Sequence, residues 1–325
     1  MQEDWQPSCN LEFLRLRAQL VHGIRCFFLE RGVLEVETPL LGHGIGTDPQ
    51  LAFFTTEYCS LPLQQRLFLQ TSPEFAMKRL LAAGSGSIYQ ICKAFRNGES
   101  GRFHNPEFTL LEWYRVGFTL PELMDEVDEL FATLVAGHQL QAAQRISYQA
   151  VFHQYTGLNP LQFCHQDYCA YAMANGLPEA VALCGENHLL WLDVIFSHKI
   201  QPQLGANGLC MVYGYPACQP SLARASANNP HTVDRVELFM NGIELGNGYY
   251  ELANAAEQER RFNKEIQIRQ EQNLAPVIKD RRLLAALVSG LPDCAGIAIG
   301  LDRLLMVLGS AATINETLSF AIDRA

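Results

Sequence analysis

Residues 93–116 have the sequence KAFRNGESGRFHNPEFTLLEWYRV, which alternates in a way typical of two β-strands around a polar loop. The pattern predicts a β-strand over Ser87–Arg96, a polar loop over Asn97–Pro106 and a returning strand over Phe108–Val116. Two strands joined by a short polar loop form an antiparallel pair. Arg96 then lies at a strand end beside the loop, where a guanidinium can bind a phosphate through two parallel hydrogen bonds.

The returning strand carries a second candidate feature. Glu112 and Tyr114 are two residues apart, so their side chains share one face of the strand. Taken singly, Glu112 and Arg96 also fit ordinary solvent-exposed positions. The same is true of Glu74, which follows Thr71-Ser72-Pro73 and fits the first turn of a helix. Their chemistry therefore depends on which partners surround them.

A β-hairpin is predicted over residues 233–251, because Asn241-Gly242 is a strong type I′ turn signal. A two-residue loop places Phe239 opposite Glu244 and Glu237 opposite Gly246, so that Glu237 and Glu244 become diagonal neighbours on one face. Two adjacent carboxylates repel each other, and Mg²⁺ held together with substrate phosphates relieves that repulsion. The alternative is a pair of glutamates on a solvent-exposed face.

The residues after this turn have the wrong alternation for one shared site. Asn247, Tyr249 and Glu251 have the opposite parity to Glu244. They can reach one pocket together only if a bulge near residues 246–248 resets the register. We therefore predict that bulge, which regular pairing through residue 251 would exclude.

Helical patterns flank these strands, which predicts an α+β fold with an antiparallel sheet flanked by helices. A helix capped by Asn10 is expected to run to Glu30 and to end at Gly32. Residues 157–230 have no clear pattern and are expected to be irregular. The remaining predicted elements are a helix from Thr119 to about Gly137, a short helix after Ser147, a charged helix over 256–273, a strand over 295–299 and a helix over 301–308.

Composition limits the possible partners and location. The 325 residues have a net charge of −10, which disfavours binding to a polyphosphate such as tRNA. The ten cysteines include no C-x-x-C pair, which favours reduced thiols in a cytoplasmic protein. An acidic, polar start and the lack of a long apolar run predict neither a signal peptide nor a membrane span.

Three motifs, in order, resemble those of class II aminoacyl-tRNA synthetases of the lysine type. Residues 32–39, GVLEVETP, resemble motif 1, which lies at the dimer interface and implies a homodimer. Phe95-Arg96-Asn97 with residues 104–108 resembles motif 2. Gly300-Leu301-Asp302-Arg303 resembles motif 3. The resemblance covers nearly the whole chain and implies ATP-dependent amino-acid activation with Mg²⁺.

The same resemblance implies roles for individual residues. Arg96 and Arg303 are expected to be catalytic, and Glu237 with Glu244 to hold the metal. The expected ATP-binding residues are Arg96, Asn97, Glu99, His104, Asn105, Glu244, Leu245, Gly300 and Arg303. The expected amino-acid-binding residues are Ser72, Pro73, Glu74, Glu112, Tyr114, Asn247, Tyr249, Glu251 and Ala298.

One departure concerns the contact to adenine. These synthetases have a glutamate two residues after the motif 2 arginine, where this chain has Gly98, with Glu99 one position later. The adenine contact is expected to come either from Glu99 on a shifted loop or from backbone groups.

Within the lysine type, the chain resembles the elongation factor P lysine ligase family, paralogues of lysyl-tRNA synthetase. Trp5-Gln6-Pro7, residues 31–39 and Asp323-Arg324-Ala325 carry this resemblance. It implies elongation factor P as the protein substrate and (R)-β-lysine as the amino acid. Ala298 also fits, since this family has alanine where lysyl-tRNA synthetases have glycine.

The expected organisation is one class II catalytic domain over residues 1–325, with a helical or irregular insertion over 119–230. About ten residues precede the first helix, whereas a folded domain needs roughly 50 or more, so no anticodon-binding domain is expected. Two other functions stay open: a minimal tRNA-lysine ligase, and a non-catalytic paralogue that senses lysine. The second would be expected to lack the phosphate arginines or metal carboxylates, which are present here.

Overall fold

The computed structural model describes residues 5–60, 63–134 and 141–325. Over these residues the chain separates into two compact units. The first unit takes in Met1–Phe118, Leu130–Leu134 and Ala253–Ala325, and the second takes in Thr119–Glu129 and Val135–Leu252. The prediction of a single catalytic domain stays a prediction.

Helices and strands alternate along much of the chain. The α-helices are α1 (Leu11–Glu30), α2 (Glu74–Ala82), α3 (Leu120–Leu134), α4 (Tyr148–Thr156), α5 (His165–Ala174), α6 (Pro178–Cys184), α7 (His188–Ile195), α8 (Ala255–Glu271), α9 (Arg281–Gly290) and α10 (Leu301–Leu308). The strands are β1 (Leu34–Glu35), β2 (Leu41–Gly42), β3 (Thr55–Ser60), β4 (Leu63–Leu69), β5 (Ile88–Phe95), β6 (Glu107–Val116), β7 (Gln141–Ser147), β8 (Gly208–Pro216), β9 (Thr232–Met240), β10 (Ile243–Tyr250) and β11 (Cys294–Gly300).

The first unit contains strands in the order β1-β5-β6-β11. The β1–β5 pair is parallel, and the β5–β6 pair is antiparallel, as the motif 2 stretch predicted. The β6–β11 pair is also antiparallel. A separate antiparallel sheet has the order β2-β4-β3. Aromatic packing anchors α1 to the larger sheet: Phe28 stacks on Tyr89 at 4.5 Å and lies 5.4 Å from Trp113.

The predicted first helix is confirmed. The Asn10 side chain accepts a hydrogen bond from the Phe13 backbone N–H at 3.0 Å, which satisfies one of the exposed donors at the start of α1. The helix ends at Glu30, and Gly32 follows with φ of 64°. A left-handed conformation at this point favours glycine and directs the chain into β1.

The second unit contains strands in the order β10-β9-β8-β7, with β7 parallel to β8 and the other pairs antiparallel. Its core includes Tyr148, Phe152, Trp191 and Phe239, all almost fully buried. The expectation that residues 157–230 are irregular was wrong. This range contains α5, α6, α7 and β8, and a π-helical turn at Phe196–Ile200 continues α7.

Among the described residues, no helix is both long enough and apolar enough to cross a membrane. All ten cysteines are thiols in the structure.

The predicted charged helix is α8, and its first turn carries an ion-pair cluster. Glu257 accepts hydrogen bonds from Arg260 Nη2 at 2.7 Å and from Arg261 Nε at 2.9 Å. The bond from Arg260 is the main reason that the pKa of Glu257 falls to about 2. A carboxyl whose pKa is lowered by folding stabilises the protein above its unfolded pKa, near 4.5, and loses that effect as the pH falls towards 2.

We expect Glu257→Gln to lower the free energy of unfolding by about 1 kcal/mol at pH 7, a value discounted for solvent screening. The difference in the free energy of unfolding between this variant and the unmodified protein should shrink as the pH falls from 5 to 3. Urea unfolding at each pH measures it. Glu271→Gln at the other end of α8 is the control, because a negative charge at a helix C-terminus does not stabilise it. An equal loss in both variants, or a pH-independent loss, would contradict this assignment.

Candidate active site

In the first unit, one face of β6 and β11 brings several predicted residues together. Glu112 is paired with Ala298 across the two strands, and Tyr114 is paired with Gly296. Side chains directly opposite each other on antiparallel strands share a face. The Tyr114 hydroxyl donates to Glu112 Oε1 at 2.7 Å, and the Glu112 side chain is almost completely buried. This carboxylate therefore faces a strip of small residues, Gly296, Ala298 and Gly300.

Gln90 extends this face and was not predicted. It is paired with Glu112 across β5 and β6, is 2% exposed, and accepts a hydrogen bond from Thr38 Oγ1 at 3.0 Å. On the same side of β5, burial and the Glu112 charge raise the pKa of Cys92 to about 12. The available signal in the sequence was a glutamine between the apolar residues Tyr89 and Ile91 of a predicted strand.

Glu74 already has a cationic partner. The Lys78 ammonium lies 2.6 Å from Glu74 Oε1, and Lys78 is 2% exposed. Ser72 Oγ accepts a hydrogen bond from the Glu74 backbone N–H, and Pro73 directly precedes α2. The predicted Ser72-Pro73-Glu74 segment therefore forms the start of this helix, with its carboxylate held towards Lys78.

Arg96 lies at the end of β5, where the sequence placed it. Gly98 has φ of 79° and turns the loop so that Glu99 comes within 3.7 Å of the Arg96 guanidinium. The guanidinium also lies over the Phe108 ring. Arg96 Nε is buried and makes no hydrogen bond within the described part of the chain. A buried cationic donor without an acceptor suits a bound anion.

Arg303, in the first turn of α10, contacts the same loop. Its Nε donates to the Phe103 carbonyl at 3.1 Å, and its Nη2 lies 2.7 Å from His104 Nε2. The Asn105 side chain donates to the Glu107 carbonyl and accepts from the Ile322 backbone N–H, so it ties the loop to the C-terminal segment. Motif 2 and motif 3 are thus joined through the loop that follows Arg96.

Asp302 explains how the start of α10 is fixed. Its Oδ2 accepts from the Thr109 backbone N–H at 2.7 Å, and its Oδ1 is ion-paired with Arg17 of α1. The side chain is 1% exposed, and a buried carboxylate requires such partners. Asp302 lies within motif 3, and no role was predicted for it. It links α1, β6 and α10 immediately beside Arg303.

In the second unit, the predicted bulge is confirmed. Glu244 pairs with Phe239 as predicted, but Gly246 pairs with Leu238, which leaves Leu245 as the extra residue. The bulge therefore lies one residue before the predicted 246–248 range, and the predicted pairing of Glu237 with Gly246 was wrong. Glu237 is instead opposite Asn247. The bulge gives Glu244 and Asn247 the same side of the hairpin, as the parity argument required.

Glu237 is held by two neighbours, Arg235 and Tyr215. Its Oε2 accepts from the Tyr215 hydroxyl at 2.5 Å, and its Oε1 is ion-paired with Arg235. Burial raises the pKa of Glu237 to about 7, and the nearby Glu244 charge adds to this, while Arg235 opposes both. The two carboxylates thus repel each other, as expected, and a bound cation would favour their ionised forms.

Arg235 was missed by the sequence analysis. Its guanidinium lies 4.3 Å from the Tyr215 ring centroid, and its Nε donates to Asn247 Oδ1 at 3.2 Å. Asn247 in turn donates to the Tyr249 hydroxyl at 2.7 Å, which lies 2.7 Å from Ser221 Oγ. One arginine therefore orients both a predicted metal carboxylate and the predicted asparagine.

Glu251 follows β10, and its side chain is 1% exposed. Its carbonyl accepts from Arg224 Nε at 3.2 Å, and the residue forms an isolated bridge with Ala223. The backbone is thus held by one neighbouring segment, Ala223–Arg224. Burial of this carboxylate suits a site for a cationic ligand.

The carboxylates of Glu237 and Glu244 are suitable ligands for a hard divalent cation that also binds a substrate. Carboxylate oxygens are the ligands that Mg²⁺ prefers, and it usually takes only one or two from a protein together with substrate phosphates. Glu237 and Glu244 could supply those two. Among the described residues, no group of three or more His, Cys, Asp or Glu side chains is arranged to hold a metal alone.

Comparisons with known proteins identify the family of this chain. Residues 4–324 match the family of class II tRNA synthetases for Asp, Lys and Asn. An elongation factor P–(R)-β-lysine ligase of Vibrio vulnificus is 45% identical over 322 residues, which cover 98% of each chain. A ligase with the same name from Mannheimia succiniciproducens is 43% identical over 329 residues, covering 100% of this chain and 99% of the relative. One from Haemophilus ducreyi is 42% identical over 326 residues, covering 99% and 97%.

The chain belongs to this ligase family. It has the class II synthetase fold, an α+β fold, and is an enzyme of the ATP-dependent ligase type. The arginines described above lie at the end of a strand and at the start of a helix, and the carboxylates on strand faces are suited to bind cationic groups. Both features fit a ligase of this fold. The functions assigned to the individual residues stay predictions.

Proposed function

We propose that this protein activates (R)-β-lysine with ATP and transfers it to the ε-amine of a lysine on elongation factor P. The observation that carries this proposal is the near end-to-end similarity to ligases of that name. The arginines and buried carboxylates of the two units support it, because they suit phosphates and ammonium groups respectively.

In the activation step, the β-lysine carboxylate attacks the α-phosphorus of ATP. A new P–O bond forms, the bond from the α-phosphorus to the bridging oxygen breaks, and pyrophosphate leaves. This chemistry needs no covalent enzyme nucleophile, so catalysis consists of alignment and charge stabilisation. Arg96 and Arg303 bind phosphate oxygens in this proposal, with Arg96 nearest the α-phosphate. Mg²⁺ held by Glu237 and Glu244 would supply further positive charge.

The amino acid carries two ammonium groups, and each needs an opposite charge once it leaves water. We assign this task to the carboxylates of Glu74, Glu112 and Glu251. Asn247 orients the substrate, and Tyr114 with Tyr249 shapes the slot for its side chain. The existing Glu74–Lys78 ion pair implies that Glu74 serves an ammonium group while it is still paired with Lys78.

In the transfer step, the lysine ε-amine of elongation factor P attacks the carbonyl carbon of the adenylate. An amide bond forms, and the bond to the AMP oxygen breaks. The amine has a pKa near 10.4 in water and must lose a proton first. We assign no side chain as the base, because the phosphate of the departing AMP can take that proton.

Ala298 is proposed to select the β-amino isomer. Its methyl group lies beside Glu112, within the strip of small residues on β11. Removing the methyl group should reopen space near the α-carbon, and one methyl is worth about 1–3 kcal/mol of selection. We expect Ala298→Gly to raise the kcat/KM for α-lysine relative to β-lysine by roughly 10-fold, measured by pyrophosphate exchange.

Ala295→Gly is the matched control, because Ala295 lies on the same strand but is paired with Arg115 and fully buried. This change adds the same backbone freedom at a residue on the opposite face of β11. It should therefore lower the stability of the protein without changing the ratio of kcat/KM for α-lysine to kcat/KM for β-lysine. An unchanged ratio in Ala298→Gly would remove Ala298 from substrate selection.

The deciding experiment for the proposed function is intact-mass analysis of unmodified elongation factor P. The factor is incubated with this protein, ATP, Mg²⁺ and (R)-β-lysine, with α-lysine and tRNA in parallel reactions. A gain of one lysyl residue, fastest with β-lysine, is the expected result. Charging of tRNA without modification of the factor would instead indicate a minimal tRNA-lysine ligase. No transfer in any reaction would favour the lysine-sensing alternative.

We also propose that the protein works in the cytoplasm as a homodimer, with tRNA not among its partners. The motif 1 resemblance supports the dimer, and the net charge of −10 argues against tRNA. Analytical ultracentrifugation of the purified protein measures its oligomeric state directly.

A further inference from the structure

A cluster of three side chains in the second unit has no role in the proposed reaction. Cys169 Sγ lies 3.2 Å from Nε2 of His165, one helical turn earlier on α5. The other ring nitrogen, His165 Nδ1, lies 3.1 Å from Glu186 Oε1 in the segment between α6 and α7. Thiol, imidazole and carboxylate therefore form a continuous line.

The order of these contacts determines how the imidazole can act. An ionised carboxylate can only accept hydrogen bonds, so in the neutral ring Nδ1 carries the proton and donates to Glu186. Nε2 is then the acceptor and faces the thiol. A base held in this tautomer by a third group is the arrangement that activates a nucleophile. The His165 ring is also packed near Phe163 and Trp191, which restricts its rotation.

The chain contains its own comparison for this geometry. His22 and Cys26 on α1 have the same spacing, but Nε2 and Sγ are 3.6 Å apart. In the described parts of the chain, no carboxylate lies within ion-pair distance of His22. The closer contact and the orienting carboxylate therefore distinguish Cys169 from a cysteine that merely follows a histidine by one turn.

We propose that Cys169 is an activated thiol and a modification site for soft electrophiles, including hydroperoxides, with His165 as its base and Glu186 as a positioning residue. With hydrogen peroxide, the thiol proton moves to His165 Nε2 and the sulfur attacks one peroxide oxygen. An S–O bond forms and the O–O bond breaks. The departing oxygen takes the proton from the imidazolium and leaves as water. Sulfur is oxidised to the sulfenic acid, and the peroxide is reduced.

The test is competitive alkylation of the purified protein with iodoacetamide at pH 6.5, in which mass spectrometry follows each cysteine-containing peptide separately. Cys164 and Cys59 are internal references, because both are exposed. Cys169 is only partly exposed, so accessibility alone would make it the slowest of the three. We expect it instead to react at least roughly 10-fold faster than Cys164, because His165 takes up the thiol proton as the sulfur attacks.

Variants separate activation from exposure. His165→Gln should slow alkylation of Cys169 by about 10-fold and Glu186→Gln by about 3-fold, with the rates at Cys164 unchanged. Gln166→Ala, an exposed change on the same helix, should have no effect. Thermal unfolding of each variant checks that the second unit remains intact.

Trapping with dimedone after peroxide treatment provides a second readout that needs no variant. An adduct at Cys169 in preference to Cys164 and Cys59 is expected. A Cys169 alkylation rate at or below that of Cys164 would overturn the proposal, as would insensitivity to His165→Gln. Dimedone adducts on the exposed cysteines alone would overturn its hydroperoxide part.

Discussion

Replacing Glu251 by glutamine is expected to abolish lysine-dependent pyrophosphate exchange while ATP binding stays within about 2-fold of normal. The side chain is 1% exposed, so an ammonium group bound beside it has left water. Glutamine keeps the size and one acceptor oxygen but removes the negative charge. Leaving one member of a buried ion pair without its partner costs about 3–5 kcal/mol, or roughly 10²- to 10⁴-fold in amino-acid activation.

The control for this change is Glu179→Gln, which removes an exposed carboxylate in the first turn of α6. It should leave both activation and ATP binding unchanged. Unchanged adenylate formation in Glu251→Gln would remove Glu251 from the amino-acid site. Loss of ATP binding in the same variant would indicate damage to the fold rather than to lysine recognition.

Replacing Arg96 by lysine is expected to lower the rate of adenylate formation by roughly 100-fold. Lysine keeps the positive charge but has no planar pair of donors for two phosphate oxygens. It also loses the stacking of the guanidinium over Phe108 and the buried Nε–H donor. The effect should appear mainly in kcat in single-turnover measurements, because the charge on the α-phosphorus oxygens develops as pyrophosphate leaves.

Arg102→Lys tests whether any arginine of this loop would behave in the same way. Arg102 donates to the Ala312 carbonyl at 3.0 Å and lies over the Phe103 ring, with no assigned contact to substrate. Its replacement should change the rate by less than about 3-fold. Equal losses in the two variants would make the integrity of the loop, and not phosphate binding by Arg96, the cause.

The elements that carry the motifs could be predicted because their patterns are local. The β5–β6 pair follows from alternation around one polar loop, and the hairpin follows from Asn241-Gly242, whose residues have φ of 53° and 73°. The bulge was predictable because the three polar residues after the turn could share a face with Glu244 only if the alternation of the strand changed. The position of the bulge was not predictable, because the glycines at 246 and 248 indicated a bulge there. The extra residue is instead the buried Leu245.

The parts that escaped prediction depend on distant partners. α5 has the sequence HQDYCAYAMA and buries only Tyr168 and Ala172, so it shows little helical periodicity of its own. Arg235 looks like an exposed strand arginine until Tyr215 covers it from β8. Lys78 likewise looks like a surface residue of a short helix. In each case tertiary packing, not the local pattern, determines the environment.

The extra residue at Leu245 also affects how this hairpin can evolve. Deleting Leu245 would remove the bulge and leave regular pairing, with Asn247 still opposite Glu237, whereas deleting Gly248 would turn Tyr249 to the opposite face. The second deletion would separate Tyr249 from the Asn247 side chain that donates to its hydroxyl, without changing the chemical identity of either residue. The length of β10 after Asn247 is therefore under a stricter constraint than its length at the bulge, and we expect active variants to tolerate a deletion at Leu245 better than one at Gly248.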